Sequence, residues 1–397
     1  MRIALLSPLP PEQSGIADYA LAWRDAMRAA GVEVATPFAG APLTAEADAL
    51  AARMQDVAWD DFDLVHAELG GGRCGEFLAL EWLAHYRPGL PLTATAHDPE
   101  RLIWRPAALP GPLALASRLP RRAYQAAALL ADPWTLARER RLAARLSRLI
   151  ALTETGAACL ARRMRLPAGK VVCIAHGNHE VADVRLPPPQ PLRLLYFGFL
   201  YRGKGIEDLL DALALLAAME PDARRQVRLT LAGGVAPDVA FGSAGSYLDE
   251  LRRRLAELRL GEDMVTWRLD VPADEIPALI QAHHVMVLPY RESRKLAWLG
   301  QMRGTSGGLS WAAACGRGVV SSDARAFAEE VSHGNGAVYP QGDSRALAGE
   351  LARLLREPGR AIAFGRKAAE LGARRAWPKT AERFQAAFAA VLREGEA

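Results

Sequence analysis

The chain has 397 residues, 50% apolar and 24% charged, enough for two domains with separate cores and unlike a disordered or fibrous protein. Its 49 basic and 45 acidic residues leave a small positive excess that gives no reason to expect a nucleic-acid partner. Cys74, Cys159, Cys173 and Cys315 lack CxxC spacing, so neither a zinc site nor a disulfide framework is expected, and no apolar run approaches the roughly 18 residues of a membrane span. The N-terminus runs directly into an apolar strand, too short for a signal peptide, and a cytoplasmic protein is expected.

Ile3–Leu6 is a short apolar run of the buried parallel-strand type, broken by the proline-rich Ser7–Gly15. Ile16, Tyr19, Ala20, Trp23 and Met27 then keep helical spacing until Gly31, and Val32-Glu33-Val34 reads as the next strand. Strand, glycine-bearing turn, helix and strand make a Rossmann-type opening, although no GxGxxG is present. Gly15 either lets the backbone approach an anion or is simply tolerated in a turn.

Asp63–Leu69 with Gly70-Gly71-Gly72, a helix over Glu76–Tyr86, and Leu92–Ala96 repeat the pattern. His97 follows that last strand, at the end where α/β proteins bind ligands; an edge histidine with a local hydrogen bond is the alternative. Residues 101–148 hold ten arginines against one aspartate and one glutamate, with Leu113, Leu115, Leu119, Tyr124, Leu129, Leu130 and Trp134 interleaved. That composition suits either peripheral contact with an anionic membrane or acceptor, or a solvated arginine-rich helix pair. Arg148–Thr153 and Val171–Ala175 are further strands. His176 and His179 have no acidic or cysteine ligand at suitable spacing, so no metal is expected. The proline-rich Leu186–Pro191 is a natural linker, separating an N-terminal domain of residues 1–185 from a C-terminal one of 186–376.

Arg193–Phe197 restarts a parallel sheet and leads into Gly198–Gly205, a glycine-rich strand-to-helix loop carrying Arg202 and Lys204. Two cations there fit a phosphate site with Lys204 as the point charge, while the spacing is not a Walker A. A helix over Ile206–Ala217 follows, then strands at Val227–Ala232, Val265–Leu269 and Val285–Pro289, with a short helix over Ala273–Ala282. Arg303–Gly316 opens with small residues and continues as a helix, a backbone-approach loop and helix N-terminus suited to an anion. Val319–Ser322 is a strand, and helices are expected over Arg345–Arg356, Arg360–Leu371 and Thr380–Leu392. About six βα units in this half indicate a doubly wound α/β sheet.

Gly15 after the first strand, His97 after a later one, Gly198…Lys204-Gly205 and the small-residue turn ending in Ala314-Cys315-Gly316 together resemble a GT-B glycosyltransferase of the retaining family 4 group. The resemblance covers nearly the whole chain. It implies an α/β fold of two Rossmann-like doubly wound domains facing a cleft, with residues 377–397 forming a helix that returns to the N-terminal domain. It further implies that the N-terminal domain binds the acceptor and the C-terminal domain a nucleotide diphosphate sugar. Gly15 would then offer its backbone to the donor diphosphate, and His97 would touch the donor sugar. Lys204, with Arg202, would neutralise the leaving diphosphate, and Thr305, Ser306, Gly307, Gly308 and Leu309 would meet the same group. The implied co-substrate is a nucleotide sugar, the implied acceptor a saccharide or lipid-linked saccharide, and no metal or other cofactor is called for.

The sequence also departs from the family. Many members carry Glu-x7-Glu across the last turn, where this chain has Arg303 and Trp311. Glu292 is the candidate substitute for the first carboxylate, followed by a longer loop over Arg294–Met302. The arginine expected directly after Gly198 is Phe199, with Arg202 as the candidate replacement. A catalytically silent GT-B protein that binds a nucleotide sugar or scaffolds a polysaccharide assembly complex is therefore the alternative to a transferase active in polysaccharide or glycan biosynthesis. A sugar-nucleotide epimerase is disfavoured by the lack of a convincing carboxylate pair.

Overall fold

The computed structural model describes residues 1–396 except 13, 42, 105, 119, 183, 235–243 and 293–296. The chain divides into two compact units, one of Met1–His176, Leu296–Gly304 and Trp377–Ala397, the other of Gly177–Lys295 and Thr305–Ala376.

The first unit holds strands β1 (Arg2–Leu6), β2 (Glu33–Ala35), β3 (Leu64–Leu69), β4 (Leu92–Ala96), β5 (Arg148–Ala151) and β6 (Val171–Cys173), paired in parallel in the order β2-β1-β3-β4-β5-β6. Successive strand residues face opposite ways, and the core divides accordingly. Ala4, Leu6, Val65, Ala67 and Leu69 pack with Phe77, Leu80 and Leu83 of the Gly75–Tyr86 helix. Ile3, Leu5 and Leu64 pack on the other side with Tyr19, Trp23 and Met27 of the Gly15–Ala29 helix. That second layer is completed by the last helix, Trp377–Glu396, whose Trp377, Ala381, Phe384, Phe388 and Val391 recur at helical spacing. Its apolar stripe begins at Trp377, three residues before the expected start, because that indole packs edge-on to Tyr19 at 5.2 Å. Among the elements without a sequence signal are the Ala47–Gln55 helix and the 3₁₀ turns of Trp59–Asp61 and Gly111–Arg118.

The second unit contains β7 (Leu192–Phe197), β8 (Val227–Gly233), β9 (Val265–Leu269), β10 (Val285–Leu288), β11 (Gly318–Ser322) and β12 (Gly336–Tyr339), again all parallel, in the order β12-β11-β10-β7-β8-β9. Leu209, Leu210, Leu213 and Leu216 of the Ile206–Met219 helix are buried against it. The short helix expected at 273–282 is a 3₁₀ turn, Ala273–Glu275, running into Ile276–Gln281. β12 was not anticipated: four residues with one buried side chain leave little periodicity to read.

Both sheets reverse direction once, between β1 and β3 in the first and between β7 and β10 in the second. Ligands of open α/β sheets bind outside the carboxyl ends of the strands at such a switch point. In the second unit two glycines allow the backbone to close up there. Gly205 has φ +64, and a Cβ on it would stand 1.8 Å from the Pro289 carbonyl oxygen; a Cβ on Gly233 would stand 2.0 Å from that of Gly198. Gly205→Ala should therefore lose more than about 2 kcal/mol of stability, combining left-handed strain with a backbone clash. Gly349→Ala, on the Ser344–Arg356 helix where a Cβ meets nothing, should gain about 0.5–1 kcal/mol. Denaturant midpoints of the two variants compare them directly, and matching values would refute the steric account of Gly205.

Candidate functional site

The carboxyl end of β7 delivers Lys204 to the ring of Tyr290, which follows β10, with the ammonium Nζ 3.7 Å from the ring centroid. Tyr201 presents a second ring at 4.9 Å. Lys204 is only 9% exposed, yet among the described residues no carboxylate forms an ion pair with it. An ammonium taken out of water without a counter-charge is costly, and an aromatic face offsets only part of that cost. The position is thus electrostatically prepared for an anion.

Ser306 ties the next turn to the same place. It caps the Gly307–Ala314 helix, accepting from the Gly308 N–H at 3.3 Å, and its hydroxyl lies 2.9 Å from that of Tyr290. The β-region backbone of Ser306 followed by two glycines is a standard helix start, and its early N–H groups and dipole favour negative charge. The Thr305 Oγ1 is buried with no hydrogen-bond partner among the described residues. Leu309, by contrast, is a buried core side chain, so it joins the site only through its backbone. Burial opposes ionisation of the Tyr290 phenol, but the charges of Lys204 and Arg325 outweigh it and lower its pKa. Tyr290 is the main residue that sequence reasoning missed; its position directly after the strand-ending Leu288-Pro289 was the available signal.

Arg202 is on the same loop, two residues before Lys204. It is half-exposed, paired with Glu250 and set 5.7 Å from the Tyr247 ring. Glu292 is anchored through its backbone, its N–H donating to Gln341 Oε1 at 2.8 Å, while the Gln341 N–H donates to Asp323 at 2.8 Å. Beside it, Arg291 grips the buried Asp208 carboxylate with two donors. Trp311 stacks on His179 at 4.7 Å between ring centroids. The expected loop at 294–302 lies partly outside the described residues.

In the first unit, Ser14 caps the Gly15–Ala29 helix by accepting from the Ala17 N–H at 3.1 Å. A Cβ at Gly15 would meet no atom within 4 Å, so the fold itself does not demand glycine there. His97 is held by Glu68, its Nε2 being 2.7 Å from Glu68 Oε2. Because β3 alternates, His66 and Glu68 share the face of Leu64, buried in the layer with Trp23, Phe384 and Phe388. His66 Nε2 lies 3.2 Å from Glu68 Oε1, and its Nδ1 2.9 Å from Thr93 Oγ1. Burial alone would raise the Glu68 pKa, but hydrogen bonds and charge from His66 and His97 lower it from 4.5 to about 2. Glu68 was missed because it reads as a strand residue like its neighbours.

Arg303 and Gly304 belong to this first unit, which corrects the reading of Arg303–Gly316 as one turn of the C-terminal domain. Arg303 pairs with Glu100 at 3.4 Å, and the Gln301 N–H donates to the other Glu100 oxygen at 2.9 Å. A Cβ at Gly304 would stand 2.1 Å from the His97 carbonyl oxygen, so only glycine lets the backbone pass there. Arg101 donates to Glu139, to Asp132 and to the Leu299 carbonyl. Of the ten arginines in 101–148, Arg101, Arg138 and Arg148 pair with carboxylates and Arg140 donates to the Arg163 carbonyl. The side chains of Arg105, Arg118, Arg121 and Arg122 lie outside the described residues. Among the described residues no group of three or more His, Cys, Asp or Glu is arranged to hold a metal ion, and no helix is long and apolar enough to cross a membrane.

Residues 191–357 match the family model described as Glycosyl transferases group 1. D-inositol 3-phosphate glycosyltransferase 2 of Catenulispora acidiphila is 28% identical over 336 residues, covering 81% of this chain and 69% of that protein. The D-inositol 3-phosphate glycosyltransferase of Pseudarthrobacter chlorophenolicus is 29% identical over 195 residues, 49% of this chain and 41% of that protein. Among solved structures, sucrose-phosphate synthase from Thermosynechococcus elongatus superposes with a TM-score of 0.71 at 20% identity, covering 99% of this chain and all of that one. Anabaena HepE in complex with UDP-glucose gives 0.68 at 19% identity, covering 98% of this chain and all of that one. The fold is thus the two-domain α/β GT-B fold, and Lys204, Tyr290 and Ser306 lie within the residues matched by the model described as Glycosyl transferases group 1.

The Glu68 arrangement has a measurable consequence. A carboxyl whose pKa falls from 4.5 to about 2 on folding contributes stability above pH 4.5 that is lost as pH drops toward 2, about 3 kcal/mol in all. Glu68→Gln should flatten the stability slope in that window, as read by denaturant midpoints at successive pH values. A slope unchanged by the substitution would place the titrating group elsewhere.

Proposed function

We propose that the chain is a retaining, metal-independent glycosyltransferase that moves a hexose from a nucleotide diphosphate sugar to a saccharide or lipid-linked acceptor, in polysaccharide or glycan biosynthesis. The observation that carries this reading is the buried Lys204, which has no carboxylate partner among the described residues, at the sheet's switch point beside a helix start. The match to Glycosyl transferases group 1 and the UDP-glucose held by the structurally similar HepE support it.

On this reading the bond from the sugar's anomeric carbon to the diphosphate oxygen breaks as charge collects on the departing group. Lys204 and the N–H groups at Gly307 and Gly308 meet that charge, which is larger in the transition state than in the bound donor. The acceptor hydroxyl attacks the face the diphosphate leaves, and its proton passes to a diphosphate oxygen. Glu68 holds His97 by one ring nitrogen, so the histidine presented to the sugar is orientationally fixed. Glu292 is the carboxylate assigned to the sugar, and Gly15 lends its backbone to the diphosphate.

A screen of UDP-, GDP- and TDP-sugars by thermal shift should find a donor that raises the unfolding temperature, since a ligand of the native state stabilises it. Mass-detected transfer should then give a product with the donor's anomeric configuration. An inverted linkage would overturn the retaining chemistry, and no binding to any donor would overturn the whole reading. Tight donor binding with no transfer to extracted acceptors would favour the silent, scaffolding alternative. Lys204→Ala should reduce turnover by about 10²–10³-fold, the loss of roughly 3–4 kcal/mol of leaving-group stabilisation; an unchanged rate would remove it from the site.

The membrane contact proposed for 101–148 rests on exposed Leu115, Leu130 and Trp134 beside exposed Arg141 and Arg145. Sedimentation with anionic vesicles is expected at low salt and should fade as salt rises. Failure to sediment at low salt would leave this stretch a solvated face.

A further inference from the structure

Arg325 follows β11, the neighbour of β10 on the side away from β7, and its backbone is left-handed at φ +57. An arginine there is unusual, because a Cβ crowds the backbone in this region and glycine does not. Its neighbours explain how the conformation is held. Ala324 and Ala326 are buried on either side, and Ser322 Oγ donates to the Tyr290 carbonyl at 2.7 Å while accepting from the Ala324 N–H at 3.4 Å. The turn is thereby fastened to the residue whose ring Lys204 covers. The guanidinium carbon lies 5.4 Å from the Tyr290 ring centroid, and Nη1 lies 3.4 Å from the Thr305 carbonyl oxygen. Arg325 and Lys204 thus both stand within the roughly 6 Å at which a cation is attracted to an aromatic face, on one ring.

Two like charges gathered on one phenol ring repel each other. They share this position with the start of the Gly307–Ala314 helix and with the Thr305 Oγ1, which is buried and has no hydrogen-bond partner among the described residues. Each of these features favours negative charge nearby. Arg202, which sequence reasoning put forward as the second cation, is instead half-exposed and paired with Glu250.

We infer that Arg325, and not Arg202, is the second cationic contact of the Lys204 site, and that the two cations together meet the diphosphate of a nucleotide sugar. The inference rests on the proposed donor site and adds to it the residue that selects a diphosphate over a monophosphate. Lysine is a point charge, whereas a guanidinium can place two donors on one phosphoryl group, so the two cations are complementary.

Calorimetric titration of the full chain with UDP, GDP, TDP, the corresponding monophosphates and inorganic pyrophosphate tests this without turnover. Arg325→Gly removes the charge and places at φ +57 the residue best suited to it, so the melting temperature should not fall. Its affinity for the preferred nucleoside diphosphate and for pyrophosphate should drop by about tenfold to a hundredfold, with a much smaller change for the monophosphate. Arg325→Lys should recover part of that affinity, and Arg202→Ala should stay within about threefold of the wild type. Undiminished diphosphate binding by Arg325→Gly, or an equal loss in Arg202→Ala, would overturn the assignment while leaving the donor site standing. Wild-type protein that binds none of these ligands would overturn the donor site itself and the assignment with it.

Discussion

A lysine ammonium buried against a tyrosine ring, with no carboxylate paired to it among the described residues, is the constraint around which the C-terminal unit is arranged. A protein that needed only stability would pair such a charge or leave it in water, since desolvation is among the largest penalties available to a fold. Here the penalty is sustained by backbone packing that could have been used otherwise. Gly205 accepts a left-handed conformation against the Pro289 carbonyl, which places Lys204 directly before the helix and beside the end of β10. Ser306 and Ser322 then fasten Tyr290 by its hydroxyl and by its carbonyl. The ring cannot turn away from the ammonium without breaking one of these bonds.

The N-terminal unit treats its buried charge in the opposite way. Glu68 has no contact with water, but its carboxylate meets two histidines, and the balance favours the ionised form. The Glu68 charge is paired within the fold, and what the pairing provides is orientation of His97 at the end of β4. One unit carries a cation that an anion can complete, and the other a paired charge that fixes a histidine. The distinction between a binding group and a positioning group follows from the presence or absence of a partner.

Much of the fold could be read from residue order. Short apolar runs marked most of the parallel strands, and the helical spacing of Phe384, Phe388 and Val391 marked the last helix. Lys204 and Ser306 were legible because each lies on a glycine-bearing strand-to-helix turn. Tyr290, Arg325 and Glu68 were not, for one shared reason. Their significance depends on which strands are neighbours, and the order β11-β10-β7 and the pairing of β3 with β4 are long-range facts that no local pattern carries. Arg202 and Arg325 differ on the same point: Arg202 is near Lys204 in sequence, whereas Arg325 is brought to Tyr290 by the adjacency of strand ends.

Arg303 and Trp311 stand where the resemblance would put two glutamates, and each has its own partner in the structure. Arg303 is paired with Glu100 and fastened near the backbone of His97, while Trp311 stacks on His179, whose pKa burial lowers. Neither substitution leaves a stranded group, which is what decay of an unused site would produce. Both positions have become structural, and the chemistry proposed for the chain then rests on cations rather than carboxylates. That is physically coherent for transfer from a diphosphate: the charge that develops in the transition state is negative and sits on the leaving group, where Lys204, Arg325 and a helix start can meet it. Carboxylates at 303 and 311 would have contributed recognition of hydroxyl groups on the sugar and the nucleoside. Their loss therefore bears on which donor is chosen more than on whether its bond can be broken.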